Sequence, residues 1–478
     1  MYIECRGHEE RNLLQSIALL FYPLSRFEMD LDQNIDQRRV ISVLSISNTE
    51  ASAYTGVTDG DCFSEYEVKS PLSDDNDYSD IIGKSFYIAL SNLLGYKSPW
   101  GTLTGIRPVR YVKNLMDKGM NPEEIKKYLN ETFLVTENKA DLCIDIAKRE
   151  DKLLKLNDDK SFSLYISIPF CPSRCNYCSF VSHSIEKAKG IIPEYIKMLC
   201  KEIELWGELI NNLNLKLKTI YIGGGTPTTL TPDELRIIMS TIKKNFHFSS
   251  LLEYTVEAGR PDTITDEKLL AIKECGGDRI SINPQTLKDK TLELIGRHHS
   301  SYDFIEAFNR AKMIGFKTIN TDLIAGLPGE NANDFKESLD KVISLSPENI
   351  TVHTLSIKRA AFFKEGGEDI LKDMSETIHK KLDYATEALK QAGYNPYYLY
   401  KQKNTVGNFE NTGYAKEGHE GLYNIFIMGE YQTIIAAGAG GVTKIVDLSS
   451  NRIERLFNYK YPYEYINNFT KTEENIKS

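Results

Sequence analysis

The sequence predicts an α/β protein built around a partial barrel of six strand–helix units. Between about residues 163 and 392, short apolar runs alternate with segments whose apolar residues recur at helical spacing. Alternation of this kind, at a repeat near the minimum length for a crossover, indicates a parallel sheet, and its regularity favours a barrel. Six units are fewer than the eight of a closed TIM barrel. We therefore expect a partial (β/α)6 barrel with a lateral gap.

Each predicted strand of the barrel is short and apolar, and a helical segment follows it. The strands are Leu164–Ile168, Thr219–Gly223, Tyr254–Ala258, Arg279–Asn283, Thr318–Ile324 and Ile350–Leu355. The helices are Pro193–Leu209, Pro232–Lys244, Asp266–Glu274, Tyr302–Ile314, Asn333–Ser344 and Ser375–Ala392.

Two further domains are expected to flank the barrel. Residues 1–158 combine a strand at Arg39–Ser47 with several helical patterns, which indicates a small α+β domain. Residues 394–478 carry predicted strands at Tyr397–Tyr400 and Thr433–Gly438 and are expected to form a small C-terminal domain. The barrel domain then occupies residues 159–393.

Composition narrows the class of protein. The 478 residues carry a formal net charge of −9, whereas nucleic-acid binders normally have a basic surplus, so no nucleic-acid partner is expected. No early apolar run is long enough to span a bilayer or resembles a signal peptide. Five of the eight cysteines are scattered, as expected of small core residues in a reducing cytosol. We expect a cytoplasmic protein.

The remaining three cysteines, Cys171, Cys175 and Cys178, lie in one loop directly after the first barrel strand. Three thiols in C-x3-C-x2-C are one ligand short of a closed cubane, so a [4Fe–4S] cluster held here would keep one iron free for a cofactor. A structural zinc site is the alternative, because His183 follows and completes a Cys3His set. An odd number of thiols argues against disulfides.

Polar residues and glycines follow the next barrel strands at the same end of the sheet. The second strand ends in the glycine segment Gly223–Gly225, and the third, fourth and fifth end near Glu257, Gln285 and Asp322. Chemistry in such folds gathers at the carboxyl ends of the strands, so these residues predict a lined pocket. A structural zinc site does not require a lined pocket, so the predicted pocket favours the [4Fe–4S] cluster.

These motifs resemble the oxygen-independent coproporphyrinogen III oxidases, a radical S-adenosylmethionine (SAM) family. The matching segments are the cysteine loop, GGGTPT, TVEAG, RISINPQ, Arg297 and NTDLIAGLP, in the family's order from about residue 164 to 355. The N-terminal block, TGIRPVR and YYLYKQKN are similar to the HemZ-type coproporphyrinogen dehydrogenase branch.

The resemblance implies a [4Fe–4S] cluster on the three cysteines and one or two molecules of SAM. Tyr165, Gly224, Glu257 and main chain near Tyr177 would hold the first SAM. The positions around a second SAM would be Gly225, Thr226, Gln285, Arg297, Asp322 and Ser356. No catalytic side chain is assigned, because the cofactor supplies the radical.

By the same resemblance, the substrate is a tetrapyrrole and the reaction is the oxidative decarboxylation of coproporphyrinogen III to protoporphyrinogen IX. An external donor such as flavodoxin or ferredoxin would provide the electron. The candidate contacts for the substrate's carboxylates are Arg260, His298, His299 and Arg359, with Tyr398 and Tyr400 as part of its wall. Arg107 and Arg110 would close over the barrel mouth if the N-terminal block folds that way.

Two departures from the family pattern leave a second function open, that of a haem-binding chaperone of the same family. The archetypal oxidases carry a further cysteine two residues after the third ligand, where this chain has Phe180, and the chaperones also have an aromatic residue there. The chaperones use a His-Asn pair near the C-terminal domain, for which this chain has Tyr423-Asn424. The HemZ-type branch fits both changes.

Overall fold

The computed structural model describes residues 1–23, 25–28, 37–73, 75–178, 182–356, 368–402, 406–447, 450 and 452–477. The chain divides into two compact units. The first comprises 1–148, 354–379 and 399–411, and the second comprises 149–353, 380–398 and 412–478. The division into three domains with boundaries near residues 158 and 393 stays a prediction.

The described residues form the following elements. The strands are β1 Tyr2–Arg6, β2 Arg38–Ile46, β3 Glu50–Asp59, β4 Cys62–Pro71, β5 Ser161–Ile168, β6 Phe170–Cys171, β7 His183–Ser184, β8 Lys216–Gly224, β9 Glu253–Gly259, β10 Arg279–Ile282, β11 Thr318–Ala325, β12 Asn349–Thr354, β13 Asn395–Lys401, β14 Glu410–Ala415, β15 Thr433–Ala437, β16 Val442–Asp447 and β17 Arg452–Phe457. The helices are α1 Arg11–Phe21, α2 Ser79–Leu94, α3 Pro108–Asp117, α4 Pro122–Phe133, α5 Glu137–Leu154, α6 Ile185–Ala188, α7 Ile192–Leu213, α8 Pro232–Asn245, α9 Asp266–Glu274, α10 Asp289–Leu294, α11 Ser301–Ile314, α12 Ala332–Leu345, α13 Glu368–Gln391, α14 Leu422–Gly429, α15 Pro462–Asn467 and α16 Phe469–Lys477. None of the described helices is long and apolar enough to cross a membrane.

The first unit contains a four-stranded sheet in the order β1-β2-β3-β4, covered on one face by α1 and α2. A second cluster of apolar residues forms around Trp100 and helices α3 to α5. Within this unit Glu410 is buried and accepts hydrogen bonds from Lys139 Nζ (2.6 Å) and Trp100 Nε1 (2.7 Å). A buried carboxylate is tolerated here because both of its oxygens are paired.

The second unit carries the predicted barrel. Strands β5, β8, β9, β10 and β11 run parallel to their neighbours, and β12 follows β11 in the sheet. These are the six strands expected from the sequence, within three residues at each end, and they are confirmed. The sheet continues beyond β5 through β15, which pairs parallel with it, and then through β16 and β17.

Local sequence sets the starts of the barrel helices. Asn331 caps α12, Ser300 caps α11 and Thr231 caps α8, each accepting a hydrogen bond from the third residue of its helix. In each case the side chain of that third residue binds back to the cap's own N–H, which completes a capping box. These capped starts fix the residue at which each of the three helices begins.

Candidate functional site

The cysteine loop is held in place by main-chain contacts. Cys171 lies in β6, which pairs with β7, and the N–H of Thr226 donates to the carbonyl of Phe170 beside it (2.7 Å). Further along, the N–H of Asn176 donates to the carbonyl of Ile295 (3.0 Å). The loop is therefore supported on both sides by other parts of the barrel mouth.

The glycine segment after β8 approaches this loop more closely than any side chain would allow. A Cβ on Gly225 would lie 2.5 Å from the carbonyl oxygen of Phe170, and Gly224 has a φ of +110°. Both positions need glycine, one for space and the other for its backbone conformation. Thr226 follows, and its Oγ1 lies 3.6 Å from the sulfur of Cys171.

The barrel interior is lined by side chains that share one face of the parallel strands. Along these strands most residues are buried, whereas six side chains on this shared face are only half-buried. They are Tyr165, Tyr221, Glu257, Asn320, Asp322 and His353. Alternation of side chains along a strand explains why a tyrosine, a glutamate and an aspartate from different strands meet there.

Glu257 lies in the centre of this face, where the Tyr221 hydroxyl donates a hydrogen bond to it. Burial raises the pKa of Glu257 to about 7, and the nearby Asp322 carboxylate adds to the effect. At neutral pH a carboxyl group with this pKa is ionised in only part of the molecules. A cationic ligand beside it would favour the ionised form.

Asp322 differs from Glu257 in charge state. Burial alone would raise its pKa, but His353 at 3.7 Å and Asn320, whose Nδ2 donates to Oδ1 at 2.8 Å, lower it below the usual value. Gln285 is placed beside it by main chain: its N–H donates to the carbonyl of Asp322 (3.0 Å), and its φ is 69°. The interior thus contains a permanent negative charge next to a titrating one.

Three stacked tyrosines form one side of the interior. The rings of Tyr221 and Tyr423 are 4.5 Å apart, and Tyr165 stacks on both at 6.2 to 6.3 Å. Tyr423 comes from α14, and the main-chain N–H of its neighbour Leu422 donates to Glu253 (2.6 Å) at the amino end of β9. The stack fixes the ring of Tyr165, the predicted cofactor contact.

Two buried arginines lie behind the cysteine loop. Arg260 forms a forked ion pair with Asp262 (3.1 and 2.9 Å), and its Nη1 donates to the carbonyl (3.2 Å) and the hydroxyl (2.8 Å) of Ser173. Arg297 donates to the carbonyl of Asn283 and lies beside Cys175 and Tyr177. Burial by itself would lower the pKa of Arg297, but the Tyr177 hydroxyl and the Cys175 thiol raise it.

The surroundings of the loop fit an anionic iron–sulfur cluster. Three thiols are the soft donors that such clusters need, and the buried Nε of Arg297 has no hydrogen-bond partner among the described residues. Within the same residues, no group of three or more His, Cys, Asp or Glu side chains converges on a metal-binding point, and this includes the three cysteines of the loop. His183, the fourth ligand of the zinc alternative, packs edge-on against the rings of Tyr461 and Tyr463.

Most of the predicted site residues come together in the second unit. The exception is Ser356, which belongs to the first unit. The roles of all these residues stay predictions. Phe180 and Arg359 lie outside the described residues. Arg260 and His299 are buried, and Arg260 is committed to Asp262 and Ser173, so it is not open to a substrate carboxylate.

Sequence reasoning missed several residues of the site. Tyr221 and Asn320 share a strand face with predicted residues, so extending the alternation by two positions would have found them. Tyr398, considered for the substrate wall, is buried against the ring of Tyr397. Tyr423 is noted in the sequence only as the residue that replaces the chaperones' histidine, and no sequence signal places its ring in the barrel interior, because it lies on a helix far along the chain.

Comparison with known proteins gives the following relationships. Residues 165–342 match the model of the radical SAM superfamily. Over its full length the chain is 37% identical to the oxygen-independent coproporphyrinogen-III oxidase-like protein HemZ of Bacillus subtilis, of which it covers 97%. It is 32% identical to the haem chaperone HemW of Bacillus subtilis over 66% of this chain and 81% of that protein.

Among solved structures, the fold is similar to that of coproporphyrinogen III oxidase (HemN) from Escherichia coli, described as a radical SAM enzyme. The TM-score is 0.51 at 20% identity, covering 67% of this chain and 72% of the other. This likeness concerns the fold alone.

Proposed function

We propose that this chain oxidatively decarboxylates coproporphyrinogen III to protoporphyrinogen IX. The premise is that the chain belongs to the radical SAM family of HemZ-type, oxygen-independent coproporphyrinogen-III oxidase-like proteins. Members of this family use a [4Fe–4S] cluster and SAM. The observation that carries the proposal is the meeting of the cysteine loop, the glycine segment and two differently charged carboxyl groups at one end of the barrel. The full-length similarity to an oxidase-like protein supports the choice of substrate.

When bound, the cluster and SAM supply a 5′-deoxyadenosyl radical that removes a hydrogen atom from the substrate. The protein's own part is to bind and to orient. Cys171, Cys175 and Cys178 would ligate three irons, and the N–H groups of the glycine segment would approach the cofactor. Glu257 would accept hydrogen bonds from the ammonium group of SAM, and this cation would favour the ionised form of its carboxyl group.

The other predicted cofactor contacts belong to the same proposal. Tyr165 would pack on the first SAM, with main chain near Tyr177, and its ring is held by the tyrosine stack. The positions proposed around a second SAM are Gly225, Thr226, Gln285, Arg297, Asp322 and Ser356. Asp322 suits that role because its carboxyl stays ionised and can accept from ribose hydroxyls or an amine.

Each round of the proposed reaction removes one hydrogen atom and one CO2 from a propionate and leaves a vinyl group, while one electron leaves with an acceptor. Two rounds convert the substrate to the product. An external donor of the flavodoxin or ferredoxin class would supply the reducing electron in the cytoplasm, and no nucleic-acid partner is proposed.

A second candidate function is haem binding and delivery. The observation in its favour is the 32% identity to a protein named haem chaperone. The two functions differ in what they do with SAM. An oxidase cleaves it faster when substrate is present, whereas a carrier binds haem and needs no decarboxylation.

The test is an anaerobic assay of the reconstituted protein with coproporphyrinogen III, SAM and a reductant, followed by mass spectrometry. Loss of two CO2 per tetrapyrrole, accompanied by methionine and 5′-deoxyadenosine, is the expected result. Stoichiometric haem binding without decarboxylation would instead establish the carrier, and SAM cleavage with an unchanged tetrapyrrole would indicate a different substrate.

A further inference from the structure

We propose that Arg297 is the counter-charge of the iron–sulfur cluster and that it raises the cluster's reduction potential. The inference rests on the cluster of the proposed function and not on its substrate. It assigns to this arginine a task that is separate from holding SAM.

Arg297 is a buried cation without a balancing carboxylate. Its side chain belongs to a residue only 7% exposed, and its Nη1 donates to two neutral main-chain oxygens, those of Asn283 and Gly259. Across the described ranges no Asp or Glu forms an ion pair with it, and its buried Nε has no acceptor. A buried charge is costly unless an opposite charge accompanies it.

The anion that fits is the cluster itself. The two residues before Arg297 bind the cysteine loop: the carbonyl of Ile295 accepts from the N–H of Asn176 (3.0 Å), and that of Gly296 accepts from the hydroxyl of Ser173 (3.3 Å). The guanidinium lies beside Cys175, the middle ligand of this loop. A cubane in its oxidised form carries two positive charges and its three thiolates carry three negative charges, so the site is anionic in total. Thiolate formation on cluster binding therefore supplies the charge that Arg297 lacks.

The same geometry favours the reduced cluster. Reduction adds one electron and no proton, so the site becomes more negative while the arginine stays cationic. Attraction between the two then stabilises the reduced state more than the oxidised state. At an effective dielectric constant of about 20, a unit charge within about 10 Å changes an equilibrium by more than about tenfold.

Arg260 provides a matched comparison within the same region. It also lies behind the cysteine loop and binds Ser173, between the first two ligands, but its charge is neutralised by the forked pair with Asp262. A neutral pair has a much weaker field at a distance than a single charge. Removing both members of that pair should alter the support of the loop and hardly alter the potential.

The test is a redox titration of the reconstituted, SAM-free protein, with the reduced cluster measured by electron paramagnetic resonance. Arg297→Met and Arg297→Gln are expected to lower the equilibrium constant for reduction by at least about tenfold, which is about 59 mV for a one-electron couple. Arg297→Lys and the double variant Arg260→Met/Asp262→Asn are expected to stay within about threefold of the unchanged protein.

The outcomes separate the possibilities. An unchanged potential in the neutral variants, or an equal shift in the double variant, overturns the inference. If neither neutral variant retains iron while Arg297→Lys does, the counter-charge is supported; loss of iron in all three overturns it. Because no substrate is present, failure of the decarboxylation assay would remove the proposed function alone, whereas an unshifted titration would remove this inference alone.

Discussion

Replacing Glu257 by glutamine should stabilise the ligand-free protein, and this result would separate a binding role from a structural one. Burial and the Asp322 carboxylate hold the pKa of Glu257 at about 7, against 4.5 for the ordinary group. A carboxyl group whose pKa is raised on folding costs stability once it must ionise. The cost grows as the pH rises from about 4.5 to about 7 and is then constant.

The size of the effect follows from the two pKa values. Each pKa unit corresponds to about 1.36 kcal/mol, so the gap between 4.5 and about 7 corresponds to about 3 kcal/mol. Glu257 faces the open barrel interior and is only half-buried, which reduces the expected gain to about 2 kcal/mol at pH 8. At pH 5, where the folded protein already holds the proton, about a quarter of the gain should remain.

The assay can be directed to the barrel, because the chain has two tryptophans and they lie in different units. In a Trp100→Phe background, the fluorescence of Trp206 reports urea unfolding of the second unit. Glu257→Gln should unfold at higher urea at pH 8, with a much smaller difference at pH 5, and should bind SAM at least about tenfold more weakly after reconstitution. A less stable variant at pH 8, or an equal shift at both pH values, would refute the argument and make Glu257 a structural partner of Tyr221.

Two further predictions concern other charged and sulfur-bearing sites. Glu410→Gln should destabilise the first unit by about 3 kcal/mol at pH 8, because it leaves Lys139 buried and unpaired. Lys139 lowers the pKa of Glu410 despite burial, so the stabilisation is present at neutral pH and is lost as the pH falls through that lowered value. Urea unfolding followed by Trp100 fluorescence at pH 8 and pH 4 would measure this loss. Joint replacement of Cys171, Cys175 and Cys178 by alanine should abolish iron and sulfide incorporation. Cys200→Ala should leave incorporation intact, because the Cys200 sulfur lies 3.5 Å from Thr241 Oγ1 on a neighbouring helix. Stoichiometric zinc in the reconstituted protein would contradict the cluster.

The barrel strands could be predicted from sequence because their signal is local. Each is a short apolar run that ends in glycine or a polar residue, and parallel strands place those ends on one edge. That shared edge also places Glu257 and Asp322 near each other. The sequence does not give their charge states, since that of Glu257 depends on burial and that of Asp322 on its contact with His353.

Long-range pairing was beyond sequence reasoning. Strand β15 pairs parallel with β5, more than 260 residues earlier in the chain, from Thr433↔Phe162 to Ala437↔Ile166. Nothing in an apolar run of five residues states which edge it will join. The position of Tyr423 in the barrel interior follows from that pairing, because the chain reaches β15 through α14.

Side chains of opposite charge lie on different sides of the barrel mouth, each beside the ligand that it would bind. Carboxyl groups face the interior, where Glu257 and Asp322 would surround the positively charged SAM. Cationic side chains lie on the other side, behind the cysteine loop, where Arg297 would face an anionic cluster. Among the described residues of the barrel mouth, neither Glu257 nor Arg297 is in a favourable setting without its ligand, since burial and the Asp322 carboxylate raise the pKa of Glu257 and the arginine is buried without a carboxylate. A site built for stability alone would have paired these groups with one another, so their separation is itself an argument that two oppositely charged ligands bind side by side.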